Sequence, residues 1–377
     1  MAELKVLVTG DFCPVHRLAN ISAGDEQLLG NFRKFIDDAD LAITNLECPI
    51  TGHNAPIAKT GPALKGHASS LDFLLASGFH LVTLANNHIM DYGEQGLQDT
   101  LSYLKDKHIE YVGAGMNAEE ASDIYYKTFG KHKLAIINVA ENEWSTTHDQ
   151  SPGANPIDPL HVYRQIETAK KQATHILLIT HGGHEMYELP SPRMQTWFRT
   201  FIDMGADAVV NHHTHCVSGY EVYQGKPIFY STGNFLFDVP IHRNSIWNTG
   251  MAVTLNFSQD KVGFEQTYFR QCDVDPILEV LPSNTLAAKV DSLNQVIAHP
   301  EQLNARFQRY CQSKERMYNA YLEPHRNKYL GALQSRGLLP SFWHKRKRLL
   351  LENLVRCEAH KDVVQFILSH ENCHTQQ

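Results

Sequence analysis

Up to about residue 240, apolar residues come in short β-branched runs separated by stretches in which they recur at helical spacing, the alternation that builds layered α/β sheets. Strands are expected at residues 5–9, 41–45, 80–85, 134–139, 176–180 and 207–211, and helices at 93–108, 158–173 and 192–204. Asp158 is placed to cap one of these helices and Gly205 to end another. From Gly219 to about Asp273 the pattern becomes hairpin-like, with paired alternating runs inside 221–230 and at 251–257 and 262–270; these should close the sheet system with antiparallel strands. After Pro276 strand formers thin out and helical spacing takes over, punctuated by Pro300, Pro324 and Pro340. The expected division is an α/β body, residues 1–275, and a helical region, residues 276–377.

Charge sharpens that division. Residues 276–377 carry 14 Lys and Arg against 9 Asp and Glu, a balance of +5, which leaves −12 of the overall −7 for the body. The run His344-Lys345-Arg346-Lys347-Arg348 beside Leu349-Leu350-Leu351 reads as a solvated helix face, or as a contact for an anionic polymer or membrane surface. No nucleic-acid-reading motif accompanies it. With 42% hydrophobic and 20% charged residues the chain is neither disordered nor fibrous. No apolar run approaches the roughly 20 residues that span a bilayer, and residues 1–10 read as a first strand rather than a cleavable leader. The seven cysteines are odd in number and contain no C-x-x-C, which argues against a disulfide framework or a zinc ribbon and fits a reducing cytoplasm best.

The chemistry lies where the expected strands end. Asp11, Glu47, the Asn86-Asn87-His88 triplet, His181 and the His212-His213-Thr214-His215 group each follow a strand, and in open α/β sheets sites form at the carboxyl ends of strands. One such histidine would read as a satisfied structural residue; five coincidences at equivalent ends read as a site. Carboxylates, an amide oxygen and imidazoles suit a pair of divalent ions of the Mn, Fe or Zn type better than an all-oxygen calcium or magnesium cage. Two such ions, partly offset by Asp11 and Glu47, leave a positive site for an anionic small molecule or polymer, and metal-assisted hydrolysis of a phosphate ester is the natural reaction. Cys13, Cys48 and Cys216 lie close to these residues in sequence, as soft ligands or as buried fillers. Lys59 and Lys65 read as solvated loop lysines or as anion-steering groups. The glycines at 113–115 match a dinucleotide fingerprint only weakly, since Asn117 reads better as a helix cap, and there is no nucleophile elbow or Walker A loop.

In order along the chain, Gly10-Asp11, Asn45-Leu46-Glu47, Asn86-Asn87-His88 with Asp91 and Gly93, His181-Gly182-Gly183-His184-Glu185, His212-His213-Thr214-His215 and Gly233-Asn234-Phe235 resemble the CapA/PgsA family of capsule and poly-γ-glutamate biosynthesis proteins, a branch of the calcineurin-like metallophosphoesterases. The resemblance spans roughly residues 4–240. It implies a four-layered α/β/β/α sandwich carrying a C-terminal helical extension. It also implies one metal on Asp11, Glu47 and His215 and a second on Glu47, Asn87, His181 and His213, with Glu47 bridging. His88 would be the catalytic histidine, with Asp91 either orienting it or capping the helix near Gly93; beside that set, His16, Arg17, Glu185 and Asn234 are expected to meet the substrate, His16 (as a ligand) or Arg17 (as an anion contact) making up for the histidine that Cys13 replaces. Three departures stand out: Gly182 replaces the family's usual Trp, Asn211 and Thr214 replace Gly and Pro, and Cys13 occupies a superfamily histidine position. The membrane anchor of the capsule proteins has no counterpart in the sequence. The readings left are phosphate-ester hydrolysis, cleavage or transfer of γ-glutamyl amide bonds, and a non-catalytic polymer-assembly role.

Overall fold

A computed structural model describes residues 3–259, 261–322, 329, 330, 333, 336–338 and 344–370; Pro324, Pro340 and Cys373 lie outside the described residues. Period-two patterning decides the layers. Strand β1 (Leu4–Cys13) turns Leu4, Val6 and Val8 to one face and Leu7 to the other. The first face meets Leu134, Ile136, Leu177, Ile179 and Val210 of a second sheet in a shared apolar layer. Outside the first sheet, Leu7, Leu46 and Val82 pack under helices Ser69–Ala76 and Gly93–Asp106 through Leu71, Leu74, Leu97 and Leu104. Outside the second sheet, Ile137, Leu178 and Val209 pack under Pro159–Lys170 and Pro192–Met204 through Val162, Ile166, Phe198 and Phe201. The result is the expected α/β/β/α sandwich.

The first sheet contains, besides β1, strands β2 (Leu41–Leu46), β3 (Leu81–Thr83) and β4 (Glu110–Val112), all parallel to one another. Strands β5 (Ala114–Gly115) and β8 (Gly153–Ala154) form a small pair of their own, and in the second sheet β6 (Tyr125–Phe129) runs antiparallel to β7 (His132–Ala140), while β7, β9 (His175–His181) and β10 (Ala208–His212) are parallel. The expected strand at 80–85 is shortened to β3: Leu84 N–H still donates 2.9 Å to Val112 O of β4, but Ala85 turns away, its N–H donating 2.7 Å to Asn138 of β7. That crossing carries residues 86–88 to the seam between the sheets. The two hairpins close different sheets. The pair β11 (Tyr220–Tyr223) and β12 (Lys226–Phe229) joins the second through a turn in which Gln224 and Gly225 both have positive φ. The long pair β14 (Thr249–Phe257) and β15 (Val262–Gln271) joins the first, as does β16 (Leu278–Val280), so the sheet continues past the sequence boundary at 276. Strand β13 (Asn234–Phe237) runs parallel to the end of β1, so close that a Cβ on Gly10 would lie 1.9 Å from the Gly233 carbonyl oxygen. Only glycine permits that approach.

The helices Ala287–Ala298, Pro300–Leu322, Lys345–Arg356 and Glu358–His370 do not stand apart from the body. Phe307, Cys311, Tyr318, Leu354, Val363 and Ile367 form a small core of their own against Tyr187. Arg193 bridges Glu141 of the body at 2.6 Å and Asp362 of the tail at 2.9 Å, and the Asn142 N–H donates 2.7 Å to Glu358. Among the described residues no helix is long and apolar enough to cross a membrane.

His184 sits at this junction, its Nε2–H donating 2.9 Å to the Ala359 carbonyl and its ring packed edge-on against Phe307 and Tyr310. Burial, reinforced by the field of Arg193, pushes this ring down to about 3. An unfolded histidine protonates near pH 6.5, so stability is complete above that pH and is lost progressively as pH falls from 6.5 toward 3. Between pH 7 and pH 5 the cost should be ~2 kcal/mol. In urea unfolding, His184→Gln should lose that much less than the parent over the same interval; equal losses would refute the assignment.

Candidate metal centre

Three parallel strands from one sheet and two from the other end at the same seam, so their carboxyl ends deliver side chains to one place. Asp11 is at the end of β1, Glu47 just past β2, Asn87 and His88 past β3, His181 at the end of β9, and His213 and His215 past β10. Backbone pairing fixes the first two: the Glu47 N–H donates 3.0 Å to Phe12 O, and Asn45 Nδ2 donates 2.8 Å to Asp11 Oδ1. Ligand atoms of Asp11, Glu47 and His215 lie within 4.8 Å of one another, and so do those of Glu47, His181 and His213. Glu47 belongs to both groups. Its Oε1 is 3.8 Å from His181 Nε2 and 3.6 Å from His215 Nε2, and Asn87 Oδ1 is 3.0 Å from His181 Nε2.

His213 and His215 have φ of 91° and 55°, a conformation that costs a non-glycine residue on the order of 1–3 kcal/mol and concentrates at functional sites. This local kink lets two imidazoles only two residues apart both face inward, one to each group. Asn211, where the family usually has Gly, donates from Nδ2 to the carbonyls of Gly182, His212 and Tyr230 and so pins the segment before the kink. Glu141 packs directly against Gly182, where a Cβ would meet its side chain at 2.4 Å.

Electrostatics mark the same cluster. Burial opposes ionisation of Asp11, yet the His215 hydrogen bond and the fields of His212 and His181 together hold its carboxyl far below the usual range. Burial and then the neighbouring Asp11 push Glu47 up. Burial and His213 push His181 down. For His215 burial is outweighed by Asp11, and the ring is raised. Both carboxylate oxygens of Glu47 are buried without a hydrogen-bond partner. A buried carboxylate with nothing to satisfy it is costly unless a cation belongs there. The surrounding imidazoles and oxygens are the donors such a cation takes, so the residues fit a pair of divalent metals.

Beside this floor, His88 Nδ1–H donates 2.7 Å to Asp91 Oδ2, which also accepts from the Leu64 N–H at 2.7 Å. Lys59 pairs with the other oxygen of Asp91 and lies 3.3 Å from His88 Nδ1; its side chain is 4% exposed, so it is no solvated loop lysine. Burial and then Lys59 lower the basicity of His88.

The four residues expected to meet substrate part company. Glu185 lines a cavity of about 950 Å³ together with His213, Lys59 and Glu143. Asn234 is instead fully buried behind the site, its Oδ1 2.9 Å from His215 Nδ1 and its Nδ2 donating to Trp247 O, so it orients a histidine. Arg17 is turned away: its guanidinium grips Asp238 at 2.8 Å and the carbonyls of Cys272, Asp273 and Val274, leaving it a clamp rather than an anion contact. His16 is exposed on the same turn and is not among the cavity-lining residues. Cys13 and Cys48 belong to the apolar core, and burial pushes the Cys13 thiol well up; burial likewise takes Cys216 to about 12.

The roof of the cavity comes from the tail. Tyr310, Lys314, Lys345, Arg346, Leu349 and His360 line it opposite His213 and Glu185. The sequence gives no periodic signal for this docking. The one hint is the basic run at 344–348, two of whose residues line the cavity.

Residues 5–239 match the family described as bacterial capsule synthesis protein PGA_cap. The chain is 30% identical over 224 residues to "Capsule biosynthesis protein CapA" of Bacillus anthracis, covering 57% of this chain and 54% of that one. It is 34% identical over 204 residues to "PGA biosynthesis protein CapA" of Bacillus subtilis, covering 53% and 54%. A "probable polyglutamine synthesis accessory protein" of Mycobacterium tuberculosis is 30% identical over 213 residues, covering 53% and 56%. The chain thus spans about half the length of the curated relatives it matches. A putative 5'-nucleotidase from Staphylococcus aureus superposes with a TM-score of 0.44 at 16% identity, covering 79% of this chain and 58% of that one. By its match over residues 5–239, which holds the whole seam from Asp11 to His215, the chain belongs to the PGA_cap family of bacterial capsule synthesis proteins.

Proposed function

We propose that the chain is a dinuclear metal-dependent hydrolase of phosphate esters. The observation that carries this reading is the Glu47 carboxylate, buried with both oxygens unpartnered at the meeting point of two ligand groups. Asp11, Glu47 and His215 would hold one cation, and Glu47, Asn87, His181 and His213 the other, of Mn, Fe or Zn type. Such a pair, when bound, lowers the pKa of water and stabilises negative charge developing on a phosphoryl group.

The chain's own side chains supply the rest. With Nδ1–H held by Asp91, His88 keeps Nε2 as the nitrogen that hands a proton to the leaving oxygen; burial and Lys59 make its imidazolium a readier acid. Lys59 locks Asp91 and adds positive charge at the cavity wall. Asn234 and Asn45 hold His215 and Asp11 in place. The roof limits access of bulk water and offers Lys314, Lys345 and Arg346 to the distal part of an anionic substrate.

A second reading, cleavage or transfer of a γ-glutamyl amide, is favoured by the relatives' names, which print PGA biosynthesis and polyglutamine synthesis; paired metals serve peptidases as well as phosphatases. Protein prepared without chelator and reconstituted with Mn²⁺ should hydrolyse phosphomonoesters or phosphodiesters, and EDTA should abolish the turnover. Turnover of γ-glutamyl peptides alone would favour the second reading. A protein that binds no metal and turns over neither would leave an assembly role.

A further inference from the structure

Glu143, on the loop after β7, faces the tail across the cavity. Opposite it, Cys357 ends the Lys345–Arg356 helix, and His360 lies in the first turn of Glu358–His370, so the bend between the helices presents Cys357-Glu358-Ala359-His360 as a thiol and an imidazole three residues apart. Ligand atoms of Glu143, Cys357 and His360 all lie within 4.8 Å of one another, with His360 Nε2 4.0 Å from Glu143 Oε1. Two of the three are already oriented. The Tyr318 hydroxyl sits 2.6 Å from His360 Nδ1, leaving Nε2 turned to the cluster; Asn87 Nδ2 donates 3.0 Å to Glu143 Oε2 and Asn353 Nδ2 donates 3.3 Å to Oε1. Asn353, one helical turn before Cys357 and 6% exposed, leaves its Oδ1 buried with no partner beside these groups.

We infer that Glu143, Cys357 and His360 form a third divalent-cation site, separate from the Asp11-to-His215 cluster and shared between body and tail. A thiolate, an imidazole and a carboxylate are the donor set of zinc and of its cobalt substitute, at ordinary ligand distances once the three close in. On binding, the Cys357 thiol gives up its proton to solvent and the sulfur becomes the ligand. All three residues line the 950 Å³ cavity, so the fourth position opens toward it and takes water or an anionic oxygen. Glu143 is one amide group from the main cluster, because Asn87 contacts it through Nδ2 and His181 through Oδ1. The cation would therefore fasten the roof beside the floor.

The test is cobalt titration of the metal-free full chain, followed by thiolate-to-cobalt charge-transfer absorption and by metal counting. The wild type should take up three equivalents and develop the band. Cys357→Ser should lose the band and one equivalent, and His360→Ala should weaken that site 10- to 100-fold. His213→Ala should keep the band while losing metal elsewhere. Circular dichroism and Glu143→Gln guard against a misfolded variant, since Glu143→Gln preserves shape and should also lose the third equivalent. Absence of the band in the wild type, or its survival in Cys357→Ser, would overturn the inference. Two equivalents without the band would refute this site and leave the dinuclear reading standing; the band with one equivalent would do the reverse.

Discussion

Glu47→Gln should leave the protein with less than one equivalent of tightly held metal at the seam, against two for the parent, while the metal-free variant is at least as stable as the metal-free parent. The two halves follow from one fact. Glu47 sits in both ligand groups, and its oxygens are buried with no partner, crowded by Asp11. Without cations the carboxylate is a liability, and an amide of the same shape removes a burden of about 1–3 kcal/mol. With cations it is the only side chain common to both groups. Differential scanning calorimetry with and without Mn²⁺, alongside metal counting, separates the two effects: added metal should raise the midpoint of the parent and barely move that of Glu47→Gln. A Glu47→Gln variant that still holds two ions at the seam, counted in the Cys357→Ser background, would refute the bridging assignment.

His88→Ala should behave oppositely, keeping its metal while losing 10²- to 10⁴-fold in turnover, the usual range for a positioned acid or base. His88 contributes to neither ligand group, and its Nδ1 is committed to Asp91. Asp91→Asn, which keeps the residue's shape, should cost 10- to 100-fold as a positioning residue, with a slower decline in kcat than in His88→Ala and no change in metal content. Metal loss in His88→Ala would show that its effect runs through the cluster; unchanged turnover would remove it from the reaction.

Much of this seam was readable before any coordinates. Parallel strands point their carboxyl ends the same way, so the residue after each strand is a short list of candidates, and Asp11, Glu47, Asn87, His181, His213 and His215 were on it. Hairpins and caps followed from local pattern, as Asp158 accepts from the His161 N–H and Gly205 ends its helix at φ 125°, whereas the four-layer order came from the family resemblance. What failed needed partners far along the chain. Arg17 looked like a free cation near the first ligand, but its acceptor, Asp238, is 221 residues away. Asn234 looked like a substrate contact, but the close approach of β13 to β1 puts it behind His215. Lys59 looked solvated because nothing local shows the loop folding back on Asp91. Least visible was the docking of the tail, since Arg193, Glu141 and Asp362 form an ion cluster from three separated stretches, and its apolar counterpart around Phe307 carries no special spacing.

The family match ends at residue 239, yet the ceiling over His213 is assembled from residues beyond 300. On the proposed hydrolase reading, the groups that would break the bond and much of the wall that would choose the substrate lie in different stretches of the chain and can drift at different rates. A grafted tail from a distant relative would be expected to carry its preference for a guest molecule with it, while the bond-breaking apparatus beneath stayed as it was.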